Sequence, residues 1–212
     1  MIELFNLSSN NFKEALRNSL LIRASITNLN AFLTMINLIF TLITMNSINA
    51  EILFNFNDLN EDQIVVVNDS VMGGRSSSKY TFTGKTVTFT GEVSLKNNGG
   101  FASLRMIWPF EKANNNRIQL KLIGDGKAYQ FRLRTNRGFD GAAYVYQFNT
   151  IKDKLITIEM DIDQFVPSFR GRKLTNMPKL NLTDVRQMGL LIADKQTGEF
   201  EIQIESISLL NQ

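Results

Sequence analysis

The chain has 212 residues, 43% of them hydrophobic, a composition that excludes disorder throughout. Its 23 basic and 20 acidic residues leave a formal charge of +3, too even a balance for the electrostatic footprint of a nucleic-acid binder. Cysteine and histidine are absent, which excludes disulfides, thiolate nucleophiles, Cys/His zinc sites and Ser-His-Asp or Cys-His catalysis.

The first predicted element is an N-terminal hydrophobic leader over residues 1–50. Residues 31–45 are apolar and uncharged, but short and interrupted by Thr and Asn for a membrane span. Lys13, Arg17 and Arg23 lie upstream, and the run Asn46-Ser47-Ile48-Asn49-Ala50 ends on a small residue. This is the layout of a secretory h-region cleaved after Ala50, predicting an exported or periplasmic protein. Two alternatives stand beside it: an uncleaved hydrophobic anchor, and a mitochondrial presequence, against which Glu3 and Glu14 count. Membrane contact is expected only through this leader. The remaining 51–212, about 160 residues, suit a single domain with its own core.

From Ile52 onward the pattern has period two. Residues 79–83 and 86–90 flank Gly84-Lys85, a hairpin signal. Residues 117–122 alternate, and Gly124-Asp125-Gly126 then reads as a hairpin turn. Residues 129–134 alternate again, with Tyr129, Phe131 and Leu133 on one face and Gln130, Arg132 and Arg134 on the other. Strands follow over 143–148 and 155–160. One short stretch, 182–188, invites a helix. Residues 189–193 and 199–209 flank Asp194-Lys195-Gln196-Thr197-Gly198, read as a hairpin loop. Many short strands and three prolines predict an all-β, antiparallel β-sandwich.

Two polar loops with paired glycines stand out: Asn68-Asp69-Ser70-Val71-Met72-Gly73-Gly74-Arg75-Ser76 and Asn97-Asn98-Gly99-Gly100. Asp69 with Gly73 and Gly74 either binds a ligand through a carboxylate and backbone N–H groups or forms a structural turn. The run lacks the Gly-Lys-Ser/Thr ending of a phosphate-binding loop. Asn97 and Asn98 either present two amides or supply residues that tolerate a left-handed turn. The two loops are expected to meet near one edge of the sandwich. If their strands are neighbours, Arg132 and Arg134 share an outer face with Tyr144 and Tyr146, either as a binding surface or as an ordinary wet face. Phe169-Arg170-Gly171-Arg172-Lys173 either docks an acidic surface or is a solvated loop. Trp108-Pro109-Phe110 is expected to close one end of the core. Asp125 lacks the dense oxygen ligands that calcium needs, and no metal or cofactor is expected. Asp69, Glu92, Asp125, Asp161, Asp163 and Asp194 are carboxylates of catalytic type, but no acid pair stands out, and an enzyme is not expected.

The loop runs resemble a known family when taken with Gly91-Glu92-Val93-Ser94-Leu95, Phe101-Ala102-Ser103-Leu104-Arg105, Gly124-Asp125-Gly126-Lys127-Ala128-Tyr129, Phe165 with Phe169-Arg170-Gly171-Arg172, and Gly189-Leu190-Leu191-Ile192-Ala193-Asp194-Lys195-Gln196 with Gly198-Glu199-Phe200. In this order they look like the complex I intermediate-associated protein 30 family, over roughly residues 54–210. The resemblance implies a galactose-binding-like jelly roll. It also implies a non-enzymatic, chaperone-like factor that binds assembly intermediates of NADH:ubiquinone oxidoreductase. Arg75 belongs to the same candidate partner surface as Asn68 and Asp69. The alternative is an exported module binding a saccharide or small ligand, with Tyr144, Tyr146, Trp108, Asn97 and Asn98 as the groups to contact it.

Overall fold

The computed structural model describes residues 17, 32–37, 50–52, 63–83, 85–108, 115–138 and 140–210. Two compact units divide it, Met1–Ile48 and Asn49–Gln212. In the first, residues 32–37 are helical, and the rest of the predicted leader before Ala50, apart from Arg17, lies outside the described residues. No helix among the described residues is long and apolar enough to cross a membrane.

The second unit is made of strands: β1 (Ala50–Ile52), β2 (Ile64–Asn68), β3 (Ser77–Phe82), β4 (Val87–Val93), β5 (Ala102–Ile107), β6 (Arg117–Gly124), β7 (Ala128–Arg134), β8 (Ala143–Asn149), β9 (Leu155–Asp161), β10 (Val166–Phe169), β11 (Arg172–Lys173), β12 (Gln187–Ile192) and β13 (Gly198–Leu210). One sheet runs β3-β4-β13-β6-β9, with β1 also on β13. The other runs β11-β10-β8-β7-β12-β5-β2. Adjacent strands pair antiparallel in both.

Alternation builds the core between these sheets. Ile118, Leu120 and Leu122 of β6 and Phe131 and Leu133 of β7 are fully buried, as are Leu104, Met188 and Leu190. Each such side chain stabilises the fold by about 1.5–3 kcal/mol when it leaves water. Phe89 and Phe200 meet edge to face at 4.9 Å. Trp108 is buried in the same cluster, as expected, while Pro109 and Phe110 lie outside the described residues.

β13 changes phase along its length. Phe200, Ile202 and Ile204 point inward, and so do Ile207 and Leu209. The one-residue shift is absorbed by a bulge, since Ile204 pairs with Leu122 and Ser206 with Lys121, leaving Glu205 unopposed on β6.

Three local expectations change. The turn at Gly124-Asp125-Gly126 joins β6 to β7, which belong to different sheets, so it is a corner and not a hairpin. Asp125 organises it, with Oδ1 accepting from Lys127 N at 3.0 Å and Oδ2 from Tyr129 Oη and Glu201 N, both at 3.0 Å. The loop at 194–197 likewise carries β12 into β13 of the opposite sheet. The Gln196 side-chain amide ties it to the Ala128 backbone, accepting from N at 2.9 Å and donating to O at 2.8 Å. The stretch predicted helical becomes one 3-10 turn, Leu182–Asp184, capped by Asn181 Oδ1 accepting from Thr183 N at 3.0 Å. It gives way to β12 at Gln187. The hairpin of β3 and β4 forms as predicted.

Candidate functional site

The two glycine loops meet where the edge strand of one sheet, β2, passes to the edge strand of the other, β3. Residues Asp69–Met72 form a 3-10 turn, ended by Gly73 in the left-handed region at φ 89. The Asp69 side chain turns inward, and the residue is 1% exposed. Its Oδ1 accepts from Ser76 N at 2.8 Å. Its Oδ2 accepts from Ser76 Oγ, from Gly100 N at 2.5 Å and from Phe101 N at 3.2 Å. The Asn97 amide donates to Gly73 O at 3.2 Å, adding a second tie. Burial works against the charged carboxyl. The donors of the Ser76 side chain and the Gly100, Ser76 and Phe101 backbone outweigh it and hold the group below its ordinary pKa. Gly74 and Gly99 are small for this reason: a Cβ on either would come within 2.3 Å and 2.5 Å of the Asp69 carboxylate oxygens.

Asp69 is thus a latch whose acceptors are engaged within the chain. What the latch presents outward is apolar. Val71 is 71% exposed and Met72 69%, and Leu95, leading into the companion loop, is also exposed. Arg75, Asn97 and Asn98 are exposed around the latch, both asparagines at positive φ. Asn68 Oδ1 accepts from Ser78 Oγ at 2.5 Å and so braces the loop base.

The remaining sequence-predicted residues separate into three places. β7 and β8 are neighbours, but the register pairs Leu133 with Tyr144 and Phe131 with Tyr146. Paired residues share a face, so the tyrosines lie with the core side and not beside Arg132 and Arg134. Tyr144 is buried and donates to Pro178 O at 2.8 Å, and Tyr146 tilts against Phe165 at 5.7 Å. Arg170 and Gly171 form the two-residue turn between β10 and β11, both at positive φ. Arg170 pairs with Asp140 at 2.8 Å and lies 5.2 Å from the Phe169 ring centroid, while Arg172 is exposed.

Arg132 and Arg134 have a neighbour that sequence reasoning missed. Gly189 of β12 pairs with Arg105 of β5 on one side and Arg132 of β7 on the other, so the three share one row of the outer face. Arg134 sits one step along β7, opposite Gln187. Burial and the Arg105 charge push Arg132 down to about 10; burial and the charges of Arg105 and Arg132 push Arg134 down to about 9. Both remain cations at neutral pH. On the other sheet an open groove of about 560 Å³ is lined by Lys79, Glu92, Glu199 and Glu201 among others. No cluster of acidic side chains among the described residues is arranged to hold a metal.

Residues 54–204 match the family described as Complex I intermediate-associated protein 30 (CIA30), which takes in both loops, the latch and the arginine row. The chain belongs to the CIA30 family. A relative named probable complex I intermediate-associated protein 30, mitochondrial, from Caenorhabditis elegans is 25% identical over 146 residues, covering 67% of this chain and 43% of that protein. The chain therefore aligns with less than half of that relative's length. An uncharacterized protein of Schizosaccharomyces pombe is 25% identical over 171 residues, covering 69% of this chain and 77% of that protein. Among solved structures, the family 11 carbohydrate-binding module of a Clostridium thermocellum cellulosomal cellulase superposes with TM-score 0.58 at 15% identity, covering 78% of this chain and 97% of the module. A structure of a C. thermocellum family 11 module with a mixed-linked tetrasaccharide gives 0.55 at 16%, covering 76% and 95%. At such identity the likeness shows a shared sandwich and nothing about ligands. In this CIA30 chain, the loop over residues 68–76 is thus an internal latch with an apolar tip.

Proposed function

We propose that this chain acts in mitochondria as a non-enzymatic factor for assembly of respiratory complex I, binding a protein intermediate through the apolar tip at Val71 and Met72. The family match across the sandwich carries this reading. The name of the worm relative supports the compartment. The latch supports the surface, because four hydrogen bonds on Asp69 fix a turn whose apolar side chains face solvent. The saccharide reading draws on the shared sandwich, but of the three rings a sugar would stack on, Tyr144 and Trp108 are buried and Tyr146 is half-buried against Phe165.

The test is rescue of cells lacking the protein by wild type or by the double variant V71D/M72D. Wild type is expected to restore complex I on native gels and to co-purify its intermediates. The variant is expected to keep the wild-type Tm while recovering at least about tenfold less intermediate, a loss of about 1.4 kcal/mol in binding. Normal complex I in the absence of the protein, or a mature chain outside mitochondria beginning at Glu51, overturns the reading. Selective binding on a glycan array would move it to the saccharide alternative.

A further inference from the structure

The outer face of the second sheet holds cations that the latch and its apolar tip do not use. Arg105 and Arg132 flank Gly189, which has no side chain to separate them. Strands lie about 4.8 Å apart, so the two arginines rise from positions about 10 Å apart, within reach of a common small ligand. Arg134 is 3% exposed, yet its Nε and Nη1 have no hydrogen-bond partner, and neither has Arg132 Nε. Arg132 Nη1 donates to Gln130 Oε1 at 3.3 Å. Asp140 is the carboxylate whose charge acts on Arg105, and it is itself paired with Arg170. Beside the row opens a cavity of about 280 Å³, lined by Val65, Ile107, Gln187, Arg105, Arg137 and Arg186 among others.

Buried N–H groups call for acceptors, and buried cations of like sign call for an anion. We propose that this face binds the phosphoryl group of a phosphate ester, held by Arg105, Arg132 and Arg134, with the organic part in the cavity against Val65 and Ile107. A phosphate monoester is close to a dianion at neutral pH and offers three acceptor oxygens to the guanidinium groups. A monocarboxylate offers one charge and two oxygens to three cations.

The experiment is thermal melting of the full-length chain with inorganic phosphate or phenyl phosphate, against acetate and chloride at equal ionic strength. At ten times Kd, a Tm rise of about 3–6 °C is expected with the phosphates, larger for phenyl phosphate, and none with acetate. R134M removes a buried charge without a cavity and is expected to fold and to lose the shift, as is R132M. R75M, on the exposed loop, keeps it. Sedimentation with phosphatidate vesicles separates the sources: binding lost in R134M assigns the phosphoryl group to a lipid headgroup, and a phenyl phosphate shift without vesicle binding assigns it to a soluble ester. A shift no larger than with acetate, a shift retained in both R132M and R134M, or a shift given only by a glutamate-rich peptide overturns the proposal. The proposal stands apart from the assembly role, since V71D/M72D leaves this face intact.

Discussion

The Asp69 carboxylate accepts four hydrogen bonds from donors up to 32 residues away in the chain. In D69N an amide N–H₂ replaces one acceptor and faces the donors that oxygen received. The expected cost is about 2–4 kcal/mol, or roughly 4–16 °C in Tm, read by urea and thermal melts. The sign with pH follows from the lowered pKa. The carboxylate's contribution is complete above the unfolded value near 3.9 and is lost as pH falls through the lower folded value. Wild type should therefore lose stability steeply on acidification below about pH 4, and D69N should lose less over the same interval. Arg134 has the opposite character. Its folded pKa, pushed down to about 9 from its ordinary, higher value, leaves a cost present at neutral pH that is relieved as pH rises through and beyond about 9. R134M in phosphate-free buffer at pH 7 should melt no lower than wild type, and a drop of several degrees would mean that Arg134 has an internal partner. The sequence marked Asp69 because paired glycines around a small acid signal a shaped loop. It could not name the donors, because Gly100 and Phe101 reach Asp69 only through folding. It marked Arg132 and Arg134 by alternation. Arg105 alternates too, against Leu104 and Met106, but its nearness to Arg132 is a fact of strand order across Gly189.

At the scale of elements, periodicity placed the strands well and connections poorly. The pattern on either side of Asp194–Gly198 is the same whether the next strand pairs with the last or crosses to the facing sheet. The deciding groups are the Gln196 amide on Ala128 and the Asp125 carboxylate on Tyr129 and Glu201, all long-range. The tyrosines of β8 were misplaced for a related reason: register, invisible in one strand alone, assigns the face. The bulge in β13 was legible in principle, as the inward set passes from Phe200, Ile202 and Ile204 to Ile207 and Leu209. Deleting Glu205 should remove the bulge and leave Phe200, Ile202, Ile204, Ile207 and Leu209 in one unbroken inward alternation against β6. The cooperative transition in circular dichroism is therefore expected to persist in the deletion, and E205A, which keeps the bulge, should change stability by less than about 1 kcal/mol. Loss of the transition on deletion would mean that the sheet needs the bend at the bulge.

At the scale of the molecule, the sandwich was legible because each sheet has one apolar face, and the period-two signal reports that directly. Asn49–Gln212 is expected to fold alone, with Trp108 fluorescence and circular dichroism tracing one coincident urea transition. Non-coincident transitions would mean that the sandwich does not unfold as one cooperative unit, and no transition at all would mean that it depends on the preceding unit. Strand order has one more consequence. β12 lies between β5 and β7, and β13 between β4 and β6, so each sheet is joined through its middle by a strand among the last two described. A chain that emerges N-terminus first, from a ribosome or through a translocation pore, presents two sets of unmatched strand edges until those segments arrive. The five pairings made by β12 and β13, out of eleven among the described strands, then close late and over long sequence separations, which makes for slow folding and a long window of exposed edges. The nascent or threading protein is therefore open to wrong edge pairing until β12 and β13 slide into place.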